Sequence, residues 1–262
     1  DDRLKKMLSF RDRLLFKYGL KNSSAILCQN SYQYENLLSK FEKSKIHIIY
    51  NPIYNDRINS INDFSKRNYI AWVGLFQYQK NLPALYEVAK SLPDIEFHIA
   101  GRKSSSNVDA DTNKALIKLG NCKNVKFVGY LKRKEVGPFL SKAYALLNTS
   151  HYEGFSNTYL EAFTSGTPVI TTVYANPDNL IDEKKLGIVV NEISELKKAI
   201  LTIMKEDIFN NFSNNCQKQV NKSHNPRVLA KKVKQIITMI NKEQIQSSDK
   251  TSLPIMQDID NL

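Results

Sequence analysis

The residues best suited to chemistry lie between His151 and Ile170 (HYEGFSNTYLEAFTSGTPVI). An apolar run ends at Ser150, a loop carries Glu153 and Gly154, and a helix is expected to start at Ser156 or Asn157, both good N-caps. The free N–H groups and positive dipole end of such a helix make an anion site. Glu161 falls about one turn inside it, where a carboxylate could accept hydrogen bonds from two adjacent ribose hydroxyls while phosphates sit at the helix start. The bland alternatives are that Glu153 only favours a helix N-terminus and that Glu161 faces solvent, although Leu160, Ala162 and Phe163 beside Glu161 are apolar. Lys80-Asn81 stands just before a second expected helix, 82–92, where the dipole disfavours a cation by about 0.3–1 kcal/mol. A bound anion would offset that cost; a solvated loop lysine is the plain alternative.

These residues need a scaffold, and the chain alternates strand-like and helix-like segments from residue 24 to about 200. Strands are expected at 25–28 and 46–50. A polar linker over 51–66, extending to Arg67 by composition, follows Asn51-Pro52. A regular series comes next, with strands at 69–73, 96–100, 125–128, 145–148, 169–172 and 187–190. Helices are expected at 82–92, 111–119, 134–142 and 157–165, and again over most of 193–241 with a break at Asn225-Pro226. Several strands are continuously apolar, as parallel strands covered on both faces should be. The fold class is therefore α/β, a doubly wound parallel sheet, whose ligands bind beyond the carboxyl ends of the strands. Gly74, Gly101 and Gly129 end three strands, where a missing side chain lets a ligand approach, or they are simply turn glycines. Residues 1–23 read as a basic amphipathic helix ending at Gly19, its Leu14, Leu15 and Tyr18 stripe suited to a core or a membrane surface. The tail, 242–262, is expected to be loosely ordered.

Composition narrows the function. With 262 residues, a rich aromatic and aliphatic supply and a net charge of +12, this is a folded chain whose partner is anionic: a phosphorylated substrate, a membrane surface or nucleic acid. No aromatic RNA-binding run, GXXG clamp or zinc finger supports nucleic acid. Cys28, Cys122 and Cys216 are scattered and odd in number, which fits a reducing, cytoplasmic setting rather than disulfides or zinc. The four histidines are equally dispersed and form no HExxH, so no protein-bound metal is expected. No signal peptide or membrane-spanning run is visible, although residue 1 is Asp rather than Met.

The stretch 151–170 resembles the E-x7-E signature of retaining GT-B glycosyltransferases of the family 4 type (glycosyl transferases group 1). Asn51-Pro52, Trp72-Val73-Gly74 with Lys80-Asn81, Ile99-Ala100-Gly101 and Val125–Tyr130 match other pieces of that pattern in order, over roughly residues 24–240. The resemblance implies a Rossmann-like nucleotide-sugar domain over 67–241, preceded at 1–50 by the end of an acceptor-binding domain. It implies Glu153 and Lys80 as the catalytic pair. Glu161 would hold the ribose, with Gly129, Tyr130 and Leu131 flanking the base. The N–H groups of Phe155, Ser156 and Asn157 would hold the diphosphate, with Gly154 and Gly74 beside it. The implied reaction is sugar transfer with retention to a glycan or lipid-linked acceptor, in surface polysaccharide synthesis, without metal or other cofactor. The basic helices suit an acceptor presented at an anionic membrane, at its inner face.

Two departures stand out. The family usually places Arg after the glycine of the first donor-domain strand, where this chain has Leu75; Arg102 or Lys103 could substitute. Residues 1–50 match only the end of the acceptor domain, so most of that half is expected to be absent. The alternatives are therefore a truncated or degenerate donor-binding fragment without turnover, a GT-B-fold epimerase, or a basic binding module.

Overall fold

The computed structural model describes residues 9–53, 63–104 and 108–251. It divides into two compact units, residues 1–50 with 227–262, and residues 51–226. The first unit holds helix α1 (Phe10–Asn22), strand β1 (Ile26–Cys28), helix α2 (Ser31–Leu38) and strand β2 (Ile46–Ile48), with the long helix that begins at Pro226. β1 and β2 run parallel, and Ile26, Cys28 and Ile46 form a small core under Leu20, Leu37 and Ile48. Two strands cannot cover much apolar surface. Accordingly no α1 residue is buried, and Leu14, Leu15 and Tyr18 are exposed rather than packed on a core. α1 also runs through Gly19, whose carbonyl accepts from Ser23 N–H at 2.9 Å.

The second unit is built on a six-stranded parallel sheet. Its strands are β3 (Tyr69–Phe76), β4 (Phe97–Lys103), β5 (Val125–Gly129), β6 (Ala143–Leu147), β7 (Val169–Thr172) and β8 (Gly187–Val190), in the order β5-β4-β3-β6-β7-β8. Counted from β3, this is 3-2-1-4-5-6, the dinucleotide-binding order, and its switch point falls between β3 and β6. The crossover helices are α3 (Leu82–Ser91), α4 (Ala110–Gly120), α5 (Arg133–Leu140), α6 (Asn157–Thr164) and the short α7 (Leu180–Glu183), and after β8 follow α8 (Leu196–Ile203) and α9 (Glu206–Ser223). The last helix, α10 (Pro226–Thr251), continues ten residues past the expected end of the helical region. Residues 252–262 of the expected tail lie outside the described residues.

Alternation along β3 makes both cores. Ile70 and Trp72 face one layer with Leu82, Leu85, Ile99, Leu119 and Ile200, while Tyr69 and Ala71 face the other with Leu140, Tyr159, Phe163 and Cys216. The α/β doubly wound class expected from the sequence is the observed one. Two strands run further than expected: β3 continues through Gly74 to Phe76, and β4 through Gly101 to Lys103. Gly74 and Gly101 are register partners, and a Cβ on Gly101 would lie 2.0 Å from the Gly74 carbonyl oxygen. Gly101 is thus required by strand–strand approach rather than by a terminal turn. Only Gly129 ends its strand, at φ +81, a backbone region favouring glycine.

Candidate active site

The two loops that leave the switch point, 77–81 after β3 and 148–156 after β6, are stitched together. The His151 N–H donates to the Gln79 carbonyl at 2.9 Å, and the Gln79 side-chain amide donates to the Tyr152 carbonyl at 3.0 Å. Thr149 Oγ1 accepts from Trp72 Nε1 at 3.2 Å and donates to the Lys80 carbonyl at 2.8 Å. Tyr78 stacks on His151 with ring centroids 4.8 Å apart. Asn81 then starts α3 from a left-handed conformation, φ +49, its side chain accepting from Ala84 N–H. Lys80 is carried on this bracing, and its Nζ donates to Glu153 Oε1. Both side chains are largely buried, 16% and 8% exposed. Ser150 Oγ donates to the same carboxylate oxygen at 2.9 Å. The structure therefore joins Lys80 and Glu153, 73 residues apart in sequence, in one ion pair.

α6 begins beside this pair. Its N-cap, Ser156, makes no side-chain cap bond, and the N–H groups of Phe155, Ser156 and Asn157 donate to no described residue. A helix start with unsatisfied donors is an anion site. One turn on, Glu161 is half-buried, and its carboxylate has no hydrogen-bond partner among the described residues. Burial raises its pKa above the ordinary range, with the Arg133 guanidinium pulling the other way. Such a carboxylate is set to accept hydrogen bonds from a ligand's hydroxyls. Gly154 stands in open space; a Cβ there would meet nothing within 4 Å.

The sequence profile of the family described as glycosyl transferases group 1 matches residues 55–223. The chain belongs to that family. This glycosyl transferases group 1 chain is 25% identical over 201 residues to an uncharacterized glycosyltransferase of Methanocaldococcus jannaschii, covering 76% of this chain and 55% of the relative. It is 27% identical over 204 residues to the O-antigen chain mannosyltransferase RfbU of Salmonella typhimurium, covering 72% and 56%. The chain thus spans about half the length of the curated relatives it matches. Among solved structures, HepE of Anabaena in complex with UDP and glucose superposes with a TM-score of 0.75 at 14% identity, covering 90% of this chain and 69% of that one. Sucrose-phosphate synthase of Thermosynechococcus elongatus gives 0.76 at 17% identity, covering 91% and 64%. Both likenesses establish the GT-B fold.

Within this glycosyl transferases group 1 chain, the remaining predicted residues divide. Gly74 lies inside β3, where a Cβ would come within 3.1 Å of the Trp72 ring and in ordinary contact, 3.4 Å, with Lys80 Cε. Leu131 and Phe155 pack on the same apolar cluster as Tyr159 and Leu160, which joins the end of β5 to the start of α6. Tyr130 is 62% exposed. Arg102 is the register partner of Leu75, but its guanidinium lies over the Tyr130 ring at 4.9 Å, not on the Lys80–Glu153 pair. Of the adjacent RKSSSN loop, residues 105–107 lie outside the described residues. No group of three or more His, Cys, Asp or Glu among the described residues could hold a metal ion.

Two supports escaped sequence reasoning. Asn148 donates to the Tyr159 hydroxyl at 2.8 Å and accepts from Ser150 N–H at 2.8 Å, while Tyr159 donates to the Ala175 carbonyl at 2.8 Å. Tyr159 is fully buried, which pushes its phenol pKa far up, and it thereby ties α6 to the Glu153 loop. Arg67, assigned by composition to the polar linker, is 2% exposed and belongs to the core. Its Nη1 donates to the Ala143 carbonyl at 2.9 Å and to Thr167 Oγ1 at 2.7 Å, and its Nη2 to the Ser165 carbonyl at 3.1 Å. Its partners are mostly backbone carbonyls, which no residue type advertises.

Proposed function

We propose that this chain is the nucleotide-sugar-binding part of a retaining, family 4-type glycosyltransferase that moves a hexosyl group to a glycan or lipid-linked acceptor in surface polysaccharide synthesis. One observation carries the reading: a half-buried Glu161, whose carboxylate has no hydrogen-bond partner among the described residues, stands one turn inside a helix whose first N–H groups donate to no described residue, next to the Lys80–Glu153 pair. That is the complement of a nucleoside diphosphate. Glu161 accepts from the ribose hydroxyls, the Phe155–Asn157 amides and Lys80 donate to the diphosphate, and Gly129–Leu131 flank the base. Glu153 meets the donor sugar near its anomeric carbon once Lys80 turns to phosphate.

In the transfer, the bond from the anomeric carbon to the phosphate oxygen breaks and the acceptor oxygen bonds to the same face of that carbon. The acceptor proton leaves on the departing diphosphate. Lys80 and the aligned amides stabilise the charge that develops on that leaving group, so the proposal assigns no metal. RfbU is named for O-antigen mannosyl transfer, and a relative in Bacillus subtilis, 31% identical over 149 residues, for glucosyl transfer to poly(glycerol-phosphate). These names support a surface-glycan substrate class. The net charge of +12 and the basic residues of α1 and α10 support contact with an anionic membrane from the cytoplasmic side. Equal binding to neutral and anionic vesicles would remove that part of the proposal. No helix among the described residues is long and apolar enough to cross a membrane.

Leu75 favours a second reading, donor binding without turnover, because Arg102 sits on Tyr130 instead of supplying a second cation at the pair. Thermal unfolding against UDP, GDP, ADP and CMP tests the first reading. A ligand at 100 times its dissociation constant adds about 2.7 kcal/mol of stability, or about 5–10 °C for a chain of this size. A rise for one nucleotide that disappears in Glu161→Ala supports the donor site, and no rise for any of them removes it. Release of that nucleotide from its sugar conjugate then separates turnover from binding alone.

A further inference from the structure

The chain leaves the sheet-bearing unit at residues 50/51 and again at 226/227, and His224 joins the two sites of departure. It is 1% exposed at the end of α9. Its Nδ1 lies 2.9 Å from the Asn51 carbonyl oxygen, so that nitrogen carries the proton and donates. The His224 carbonyl accepts from Ile53 N–H at 3.0 Å. The same group of residues reaches the start of α6. The Asn51 side-chain amide donates to Asn157 Oδ1 at 2.8 Å, and the imidazole packs on the Phe155 ring with centroids 5.6 Å apart. Phe155 and Asn157 thus bracket the undonated amides of the helix start. Ser156 between them makes no cap bond that could fix the turn locally.

We propose that His224 is a positioning residue for the anion-binding turn: it clamps the Asn51–Ile53 segment so that this segment, through Asn157 and the Phe155 ring, sets the direction of the Phe155–Asn157 N–H groups. The use of those amides for a diphosphate rests on the function proposed above; the clamp itself does not. The residue type is explained by the two jobs it performs. Phenylalanine would keep the ring against Phe155 and lose the donor to Asn51. Asparagine would place an amide N–H near Nδ1 and lose the ring.

Calorimetric affinity for the nucleotide that stabilises the wild type, measured on His224→Ala, His224→Phe and His224→Asn beside urea midpoints, tests this directly. His224→Ala is expected to bind about tenfold more weakly, the effect of about one net hydrogen bond, with His224→Asn recovering most of the loss. Wild-type affinity in a folded His224→Ala chain would overturn the clamp. If no nucleotide binds the wild type, the donor reading fails on its own, and amide hydrogen exchange of the free proteins still decides the clamp. His224→Ala should speed exchange of the hydrogen-bonded Tyr159 amide several-fold and leave the β4 amides at the wild-type rate. Equal Tyr159 exchange, or the same acceleration at both places, would overturn it.

Discussion

The two ends of α6 belong to a helix of only eight residues and are treated in opposite ways. At the C-terminal end the Glu161, Ala162, Phe163, Ser165 and Gly166 carbonyls all find donors. Ser165 N–H reaches the Glu161 and Ala162 carbonyls, Thr167 N–H donates to Ala162 at 2.8 Å, and Ser165 Oγ donates to Glu161 at 2.9 Å. Gly166 supplies the left-handed residue, φ +62, that such endings favour. Arg67 then closes the end with donors to the Ser165 and Gly166 carbonyls, its guanidinium also 4.9 Å over the Phe209 ring. At the N-terminal end no side chain caps the helix, and three amides donate to no described residue. The hydrogen bonding is concentrated at one end, and the other end is the one to which the proposed function assigns the donor.

The largest effect should come from the sealed end. Burial lowers the Arg67 pKa to about 10, so it is charged at neutral pH. The carbonyls at the end of α6 compensate that charge, as a helix C-terminus does for a cation. Arg67→Met removes their donors and should cost about 3 kcal/mol or more, read as a lower urea midpoint at unchanged slope. A cost under about 1 kcal/mol would mean that the C-terminal end is not the stabilising one.

A smaller contrast concerns caps. Asp109 accepts from Thr112 N–H at 2.9 Å at the start of α4, whereas Ser156 caps nothing. Asp109→Ala should cost about 1 kcal/mol and Ser156→Ala less than about 0.3 kcal/mol. Equal costs would show that Ser156 caps α6 in solution and that its start is not open.

The smallest effect is a slope. The raised pKa of Glu161 means that the folded chain binds more protons than the unfolded chain between the ordinary glutamate value and the folded one. Stability from this group is therefore present at low pH and declines as pH rises through that window. Glu161→Gln should remove that decline and stabilise the free protein by about 0.5 kcal/mol at neutral pH. An unchanged pH profile would place Glu161 in water rather than against the helix.

The sheet was legible because its strands are buried on both faces: Ile70–Trp72, Ala145–Leu147 and Val169–Ile170 are apolar without alternation. Their far ends were not legible. Leu75, Arg102 and Lys103 continue the ladder through backbone bonds alone, and exposed side chains do not report that pairing. The partial burial of Glu161 followed from Leu160, Ala162 and Phe163 around it, whereas its lack of a partner could only be seen in three dimensions. Arg67 and His224 were missed for one shared reason: the groups that hold them in place are backbone carbonyls remote in sequence. Arg102 shows the converse limit. Its place in the loop region after the second strand of the series was legible, but neither its pairing with Leu75 nor its attraction to the Tyr130 face was.

The most direct measurement is calorimetric binding of the stabilising nucleoside diphosphate to wild type and to Glu161→Gln. The open end assigned here predicts at least about tenfold weaker binding, since hydrogen bonds to a charged group contribute about 1.5–3 kcal/mol, in a variant no less stable than the wild type. Equal affinity in the two proteins would contradict the assignment of Glu161 and the open end of α6 to the donor.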